Sequence, residues 1–421
     1  MDRIATIKGF ADLFSPESRA FTRMETAARR VFARYGYQEL RVPVLEHTEL
    51  FQRGIGAATD VVQKEMYTFT DRGGRSVTMR PEATAGIMRA YLDSGRNRQE
   101  AVTRLFTFGP MFRYERPQKG RLRQFHQIDC ECLNAAEPHV DAEMTVMVMR
   151  FMSELGIDDL ELQLNSLGCA RCRPAYRELL RDWLGRLDRD RLCEDCRRRL
   201  DANPLRVLDC KMPGCQALTA GAPFVAAHIC PDCREHFDTV RRLVAAEGVD
   251  FTLNHRLVRG LDYYTRTAFE VVSRGIGSQG AVAGGGRYDG LAAAIGGPDV
   301  PAIGFACGME RLAMLLPAED DPRPDFHAAV LAAQADALDT AFAVCQALRD
   351  AGFHGELDHM PRSMKAAMRR ADKSKARCVL IFGPDELAAG TVAVKRLDNG
   401  EQATTPLADA VSIVAGIVVT S

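Results

Sequence analysis

The stretch FRYERPQKGRLRQFHQIDCE, Phe112 to Glu131, decides how the first half of the chain folds. Aromatic and β-branched residues from Leu105 predict a strand before it, and alternation up to Cys132 predicts a second strand. The loop between the strands, Arg116–Arg123, contains four Arg or Lys residues, one Pro and one Gly. We therefore expect a hairpin whose connection is strongly basic.

The second strand of this hairpin has a polar face. Because side chains alternate along a strand, one face carries Phe125, Gln127, Asp129 and Glu131. If Arg113 pairs with Gln127, then Glu115 falls opposite Phe125 and joins the same face. That set suits a charged planar ligand with an anionic part, such as a nucleotide plus an amino acid. On this stretch alone, a solvated hairpin with a charged turn is the alternative.

Composition narrows the class of protein. The 421 residues are enough for two or three domains. Lys and Arg total 55 against 56 Asp and Glu, so any nucleic-acid surface has to be local. The N-terminal sequence MDRIATIKGFADLF lacks the apolar core of a signal peptide, and the apolar run Val411–Thr420 is too short to span a bilayer. These features predict a soluble cytoplasmic protein without a membrane contact.

The cysteines are concentrated in one segment. Eight of the 13 form four closely spaced pairs, namely Cys169 and Cys172, Cys193 and Cys196, Cys210 and Cys215, and Cys230 and Cys233. Without a signal peptide such pairs indicate metal ligands before disulfides, and eight thiolates suffice for two structural Zn²⁺ sites of four sulfurs each. The simplest assignment joins the first pair to the second and the third to the fourth. Reduced structural thiols are the alternative.

Changes in pattern along the chain predict its domains. A helix that ends at Gly36 leads into a strand, Glu39–Glu46, in which Pro43 suggests a sheet edge or a subunit contact. Between the strand-rich parts lies the cysteine segment with short Arg-rich helices, and Pro317–Pro324 is a plausible linker. The expected domains are 1–165 and 251–320 for the catalytic domain, 166–250 for an inserted domain (the cysteine insert), and 325–421 for a small α/β domain.

Two further segments combine arginines with other polar groups. Arg256–Thr267 places Arg259, Tyr263 and Tyr264 around a Gly-Leu-Asp turn, which suits a phosphate and a planar hydrogen-bonding ring. Arg362–Arg377 holds seven basic residues and one acidic residue, which fits either a phosphate-contacting surface or a solvated basic helix.

Taken together, these motifs resemble the class II histidyl-tRNA synthetases over nearly the whole chain. Phe112–Glu115 with its basic loop is similar to the second class II motif, Gly304–Arg311 to the third, and the region around Pro43 to the first, which builds the dimer interface in that class. More specific are RGLDYY (259–264), RPEAT (80–84) and GGGRYDG (284–290). Ala83 departs from the family, which often has glycine there. The paired cysteines resemble an insertion of only some bacterial members.

The resemblance implies an α+β fold with a class II antiparallel-sheet catalytic domain, a cysteine-rich, mainly helical insertion and a C-terminal α/β anticodon-binding domain. It also implies that histidine and ATP form histidyl-adenylate, with Mg²⁺, before transfer to tRNA-His by a homodimer. The implied catalytic residues are Arg113 and Arg259. ATP would be bound by Arg113, Glu115, Arg121, Phe125 and Arg311. Histidine would be bound by Glu82, Ala83, Thr84, Arg113, Gln127, Glu131, Arg259, Tyr263, Tyr264 and Tyr288.

For tRNA, the resemblance implies that the hairpin loop reaches the acceptor end through Arg116, Gln118, Lys119 and Arg123. The cysteine insert would clasp the acceptor arm, and the last domain would read the anticodon. Two other interpretations stay open at this point. One is a catalytically silent, synthetase-like regulatory subunit of an ATP phosphoribosyltransferase, and the other is a synthetase of the same class for another amino acid.

Overall fold

The computed structural model describes residues 3–57, 59–317, 327–359 and 363–419. The chain forms two compact units, Met1–Pro317 and Ala318–Ser421. Residues 318–324 of the predicted linker, and Arg362 at the start of the predicted basic segment, lie outside the described residues.

An eight-stranded, mostly antiparallel sheet is the framework of the first unit. The strands of this unit, in chain order, are β1 (Gln38–Glu39), β2 (Leu45–His47), β3 (Tyr67–Thr70), β4 (Ser76–Met79), β5 (Thr103–Phe112), β6 (Gln124–Leu133), β7 (Leu160–Ser166), β8 (Phe251–Leu253), β9 (Thr265–Ser273), β10 (Ala281–Arg287) and β11 (Ala302–Gly308). The large sheet has the order β1-β5-β6-β11-β10-β9-β7-β8, and only its outermost pairs, β1 with β5 and β7 with β8, are parallel. Strands β2, β4 and β3 form a separate small sheet.

Helices cover the large sheet and fill the cysteine insert. Those of the first unit are α1 (Glu17–Arg34), α2 (Thr48–Ile55), α3 (Thr84–Asp93), α4 (Arg96–Gln99), α5 (Pro138–Glu154), α6 (Arg173–Leu184), α7 (Glu194–Ala202), α8 (Leu205–Leu208), α9 (Pro213–Leu218), α10 (Pro231–Ala246), α11 (Leu291–Ala294) and α12 (Met309–Ala313). No described helix is long and apolar enough to cross a membrane.

The main core lies between the large sheet and helices α1 and α5. The Phe32 ring of α1 packs 5.4 Å from the Phe106 ring of β5 and 5.4 Å from the Phe151 ring of α5. Met144, Met147 and Met152 of α5 are fully buried in this core, and Met149 packs against it partly buried. Their unbranched side chains fill the irregular space under the sheet, so the opposite face of the sheet is left for the site.

The central hairpin forms as predicted, but with a different register. Gln127 pairs with Gly109 rather than with Arg113, and Phe125 pairs with Met111. Arg113 instead donates its backbone N–H to the carbonyl of Arg123, at 2.9 Å. The predicted register was wrong by four residues because the ladder ends at the pair Phe112 and Gln124, so the connection begins three residues before the predicted loop. Since four is an even number, Arg113 and Gln127 still share a face, as predicted.

The predicted strand around Pro43 is divided between two sheets, which corrects the single strand expected at Glu39–Glu46. Strand β1 ends at Glu39 and pairs with β5, whereas β2 begins at Leu45 and pairs with β4. Pro43 has no N–H to donate to either ladder. The chain therefore changes sheets at this proline.

The second unit is a five-stranded sheet with helices, which agrees with the α/β pattern of the sequence. Its strands are β12 (Ala328–Ala332), β13 (Gly355–Asp358), β14 (Cys378–Phe382), β15 (Thr391–Arg396) and β16 (Gln402–Pro406), and its helices are α13 (Leu338–Asp350), α14 (Met364–Lys373), α15 (Pro384–Ala389) and α16 (Ala410–Val419). The sheet order is β13-β12-β14-β15-β16, with β12 parallel to both of its neighbours. Lys365 and Arg369 lie exposed on α14.

Candidate active site

A cavity of about 560 Å³ opens over the large sheet of the first unit. It brings together thirteen side chains that the sequence assigns to the site, namely Glu82, Thr84, Arg113, Glu115, Arg121, Phe125, Gln127, Glu131, Arg259, Tyr263, Tyr264, Tyr288 and Arg311. Ala83 is not on the cavity wall. It is fully buried in an apolar cluster behind the wall, where it precedes helix α3.

Glu131 forms the closed end of the cavity. Its two carboxylate oxygens accept hydrogen bonds from the Thr84 hydroxyl at 2.6 Å and the Tyr288 hydroxyl at 2.5 Å. The side chain lies over Gly304, where an added Cβ would be only 1.5 Å from the carboxylate. Burial raises the pKa of Glu131 well above its usual range, although the two hydrogen bonds oppose the shift. A ligand group that donates a hydrogen bond would complete this environment.

Glu82 closes the N-terminal end of helix α3. Its carboxylate accepts the backbone N–H groups of Thr84 at 2.7 Å and Ala85 at 3.0 Å, which are among the donors that a helix start leaves free. The carbonyl of the preceding residue, Pro81, accepts a hydrogen bond from Arg113 Nε at 2.8 Å. The turn between β4 and α3 thus holds a carboxylate and a guanidinium on the same cavity wall.

Arg113 and Arg259 are two of the four arginines that line the cavity. The Arg113 guanidinium lies 5.3 Å from the centre of the Phe125 ring. The Arg259 guanidinium pairs with Glu270 at 2.7 Å and lies over Gly284, where a Cβ would be 2.3 Å from Nη2. The absence of a side chain at this glycine lets the guanidinium approach the sheet. Both arginines are therefore held in place before any ligand binds.

Arg311 connects the hairpin loop to the sheet. Its Nε donates to the carbonyl of Gly120 at 3.2 Å, and its Nη1 donates to the carbonyl of Ala281 at 2.6 Å. Within the loop, Arg121 pairs with Glu115 at 2.8 Å. These contacts fold the loop back over one end of the cavity.

The predicted tRNA residues lie outside the cavity. Arg116, Gln118 and Lys119 are exposed on the hairpin loop. Arg123 is half-buried, with its guanidinium 3.7 Å from the centre of the Tyr114 ring and its Nε donating to the carbonyl of Glu115 at 3.2 Å. Arg123 therefore also shapes the loop, whereas the other three side chains face solvent.

Asp129 is a cavity residue that the sequence assignment omitted. It is 1% exposed, and neither carboxylate oxygen has a hydrogen-bond partner among the described residues. Burial and the neighbouring Glu82 raise its pKa to about 8, with Arg80 and Arg113 opposing the shift. The alternation in β6 had placed Asp129 on the polar face, so its position was readable from the sequence. The sequence did not show that its carboxylate lacks a hydrogen-bond partner among the described residues.

The eight paired cysteines form two groups, each with four sulfurs within 4.8 Å of one another. One group is Cys169, Cys172, Cys230 and Cys233, and the other is Cys193, Cys196, Cys210 and Cys215. The sequence left the pairing open, and the simplest assignment, that of neighbours, does not form, because the first pair joins the fourth and the second joins the third. The chain leaves the sheet at β7 and returns at the adjacent β8, so the first and last pairs meet at the base of the insert.

The spacing of the sulfurs fits a tetrahedral metal ion. The Sγ atoms of Cys169 and Cys172 are 3.8 Å apart, those of Cys169 and Cys230 are 3.9 Å apart, and those of Cys193 and Cys210 are 3.8 Å apart. Four thiolates about 2.3 Å from a zinc ion are separated by about 3.8 Å along the edges of the tetrahedron. Both groups therefore have the donor set and the dimensions of a four-sulfur zinc site.

Comparison with protein families gives two matches that together cover most of the chain. A family described as "Histidyl-tRNA synthetase" matches residues 9–312. A family described as "Anticodon binding domain" matches residues 327–417. The first match contains the cavity and the cysteine insert, and the second contains the sheet of the C-terminal unit.

Curated relatives and solved structures agree with these matches. A histidine--tRNA ligase of Nitratidesulfovibrio vulgaris strain Hildenborough is 63% identical over 96% of both chains. A histidine--tRNA ligase of Oleidesulfovibrio alaskensis is 58% identical over 99% of this chain and all of the relative. The crystal structure of apo Staphylococcus aureus histidyl-tRNA synthetase is 31% identical, with a TM-score of 0.81, over 98% of this chain and all of that one.

The buried carboxyl of Asp129 predicts a dependence of stability on pH. Its pKa is about 8 in the folded protein and near 3.8 when exposed, so the folded state holds a proton that the unfolded state has lost between these values. The free energy of unfolding should therefore fall as the pH rises through this range. Asp129→Asn has no titrating group at this position. The melting temperature of the variant minus that of the unmodified protein should therefore increase as the pH rises from about 5 to about 8. Thermal unfolding of both proteins at several pH values measures the difference, and a constant difference would contradict the prediction.

Proposed function

The chain belongs to the histidyl-tRNA synthetase family and joins L-histidine to tRNA with ATP, and on this premise we propose how its residues divide the reaction. The observation that carries the proposal is one cavity lined both by two fixed guanidiniums, Arg113 and Arg259, and by the buried carboxyl groups of Glu82, Asp129 and Glu131. The guanidinium groups suit a polyphosphate, and the carboxyl groups suit an amino acid whose side chain donates hydrogen bonds.

Histidine binds at the closed end of the cavity. Glu131 accepts the N–H of the imidazole, since each of its oxygens retains a lone pair beyond the bond from Thr84 or Tyr288. Tyr264 meets the other ring nitrogen, and Tyr263 and Tyr288 complete the wall. The amino and carboxyl groups of histidine are bound by Glu82, Thr84, Gln127, Arg113 and Arg259, with the backbone at Ala83 shaping this side. A site built for a polar ring rejects analogues without hydrogen-bonding groups, by about 10⁴-fold or more.

ATP binds toward the hairpin loop. The adenine stacks on Phe125 and is held by Arg311, while Glu115 accepts its amino group and Arg121 reaches the phosphates. Mg²⁺ bound to the nucleotide would supply further positive charge at the phosphates. The histidine carboxylate attacks the α-phosphorus, a P–O bond forms, and the bond to pyrophosphate breaks. Arg113 and Arg259 stabilise the charge that develops on the α-phosphate oxygens, and their fixed positions make this stabilisation effective.

The second substrate, tRNA, contacts surfaces outside the cavity. The exposed loop residues Arg116, Gln118 and Lys119, with Arg123 at the end of the loop, lie beside the nucleotide end and bind the acceptor strand. The C-terminal unit reads the anticodon, and the exposed Lys365 and Arg369 on α14 contact its phosphates. Loops and single-stranded ends are the parts of RNA whose bases are accessible to side chains.

The two cysteine groups hold structural zinc ions. Four sulfurs at tetrahedral spacing leave no open position for a substrate, and a metal ion that binds only the folded insert would stabilise its fold. None of the thirteen cysteines is joined in a disulfide, which fits a location in the reducing cytoplasm.

The enzyme works as a homodimer whose contact includes the small sheet β2-β4-β3. Val44, Leu45 and Phe69 are large apolar residues that remain exposed on or beside this sheet, and Pro43 lies at its edge. Apolar residues grouped in this way are typical of an interface. Sedimentation that gives a monomer at micromolar concentration would overturn this part of the proposal.

A silent regulatory subunit of an ATP phosphoribosyltransferase is not favoured. Such proteins usually lack the terminal anticodon domain, whereas residues 327–417 match one. Their motif residues are also often replaced by other residues. In this chain the motif residues are present and line one cavity, namely Glu82, Arg113, Arg259 and Arg311.

The test of amino-acid specificity is ATP–pyrophosphate exchange with each amino acid in turn, without tRNA. Exchange should occur with histidine, because the carboxyl group of Glu131 requires a donating side chain. Exchange with proline or threonine but not with histidine would overturn the assignment. No exchange with any amino acid would favour the regulatory subunit.

Replacement of Arg259 by alanine should lower the rate of adenylate formation by two to three orders of magnitude, the usual effect of removing one fixed group that stabilises developing charge. Histidine should still bind, because Glu131 and Glu82 remain. Single-turnover kinetics measure the first quantity and calorimetry the second. Arg274→Ala, which removes an exposed arginine 3.8 Å from Glu161, is the control, and kinetics of Arg259→Ala equal to this control would remove Arg259 from the mechanism.

Purified protein should contain about two zinc ions per chain, one for each group of four thiolates. Elemental analysis measures this number. Cys196→Ser and Cys233→Ser, each in a different group, should each lose about one ion while leaving the other site filled. If the purified protein contains no metal, the zinc assignment is wrong and the cysteines are reduced structural thiols.

A further inference from the structure

The loop that carries Arg259, here called the Arg259 loop (Arg256–Tyr264), is a wall shared by the cavity and the cysteine insert. It has no helix or strand of its own, so contacts with its neighbours determine its conformation. One side of the loop presents Arg259, Tyr263 and Tyr264 to the cavity. The other side meets the insert.

Three sets of hydrogen bonds join the loop to the insert. Arg173 Nη2 donates to the carbonyl of Tyr264 at 2.6 Å. Asn203 Nδ2 donates to the carboxylate of Asp262 at 2.7 Å. At the start of the loop, Arg256 donates to the carbonyl and the hydroxyl of Thr219 at 3.0 and 2.8 Å. The beginning and the end of the loop are therefore both fixed by the insert.

Apolar contacts also join the Arg259 loop to the insert. Val258 and Tyr264 belong to the core that Leu180, Leu200 and the insert cysteines form, rather than to the core under the sheet. Leu261 and Tyr263 pack against that core from outside. The aromatic wall of the histidine pocket is thus supported from behind by the insert.

Each contact lies close to a cysteine of one group. Arg173 directly follows Cys172. Asn203 lies on the short segment between Cys196 and Cys210, and the Thr219 hydroxyl donates to the carbonyl of Cys215 at 2.8 Å. Both groups therefore have a short covalent or hydrogen-bonded connection to the loop.

We infer that the cysteine insert positions the Arg259 loop, so that both cysteine groups control histidine activation before any tRNA is bound. The inference rests on the proposed function of the cavity and adds a second role to an insert otherwise expected to serve only the acceptor arm. Residues Arg173, Asn203 and Arg256 are positioning residues, because they act through Arg259 and Tyr264 without touching substrate. Small displacements of catalytic groups have large effects on rate.

The first test removes one hydrogen bond at a time in the full-length, metal-loaded enzyme. Asn203→Ala should lower the rate of histidine-dependent ATP–pyrophosphate exchange per active site, without tRNA, by roughly 2- to 10-fold, the usual worth of one hydrogen bond. Hydrogen–deuterium exchange in residues 256–264 should become faster. Arg189→Ala is the matched control, because it breaks an exposed ion pair of the same insert with Asp201 and should change neither quantity.

A second pair of variants separates positioning from folding. Arg173→Met should slow the exchange reaction, whereas Arg173→Lys, which keeps a donor on a similar stem, should restore much of the rate. If Arg173→Met and Arg173→Lys behave alike, and Asn203→Ala behaves like Arg189→Ala, the inference is wrong.

The third test removes the metal with a chelator and adds Zn²⁺ back. Loss of metal should speed hydrogen–deuterium exchange at 256–264, leave exchange in the C-terminal unit unchanged, and slow histidine activation, and Zn²⁺ should reverse these effects. If the stripped protein keeps its protection at 256–264 and activates histidine normally while losing only transfer to tRNA, the insert serves tRNA alone. Failure of the proposed function would look different, because the untreated enzyme would then show no exchange with histidine.

Discussion

The carboxyl group of Glu131, held against Gly304 and bonded to Thr84 and Tyr288, fixes the geometry of the whole site. These four residues come from β6, β11, the start of α3 and the position directly after β10. Burial of a carboxyl group without hydrogen bonds is costly, so the bonds from Thr84 and Tyr288 stabilise the meeting of these elements at Glu131. The position of α3 and the pairing of β6 with β11 at Gly304 are both needed for these contacts.

Glycines at two positions let opposite charges lie on the sheet. Gly284 on β10 lies under the Arg259 guanidinium, and Gly304 on the neighbouring β11 lies under Glu131. Burial and the proximity of the carboxyl groups in the cavity to one another raise the pKa values of Asp129 and Glu131 and favour their protonated forms. A ligand with an ammonium group, a ring N–H and phosphates would supply the missing opposite charges. The cavity is therefore matched to the combination of substrates more closely than to either one alone.

The sequence predicted which residues line the cavity, but it did not predict the pairing register of the hairpin strands. The alternation of side chains correctly placed Arg113 and Gln127 on one face of the sheet. A register error of four residues leaves this face unchanged, because side chains alternate with a period of two. The register itself depends on where the paired ladder ends on each strand, which no local pattern in the sequence predicts. Pro43 was recognised as unusual, yet the change of sheets at that point follows from tertiary pairing.

The cysteine pairing and Asp129 escaped prediction for related physical reasons. Spacing shows that two thiolates can reach one ion, but which pairs join depends on where the insert leaves and re-enters the sheet. Asp129 stood on the predicted polar face, but its burial without a partner is a property of the assembled site. Motifs were therefore the stronger guide to function, and topology was needed to explain how the insert and the cavity are connected.

The nested arrangement of the cysteine groups also bears on how the insert assembles. The inner group closes the segment Cys193–Cys215, whereas the outer group closes Cys169–Cys233, which is about three times as long. Closure of the longer loop costs roughly 1 kcal/mol more in chain entropy if both close independently. Once the inner group has closed, the outer loop is effectively shorter and that difference decreases. The topology thus favours assembly from the inside outward, with the junction to the catalytic sheet formed last.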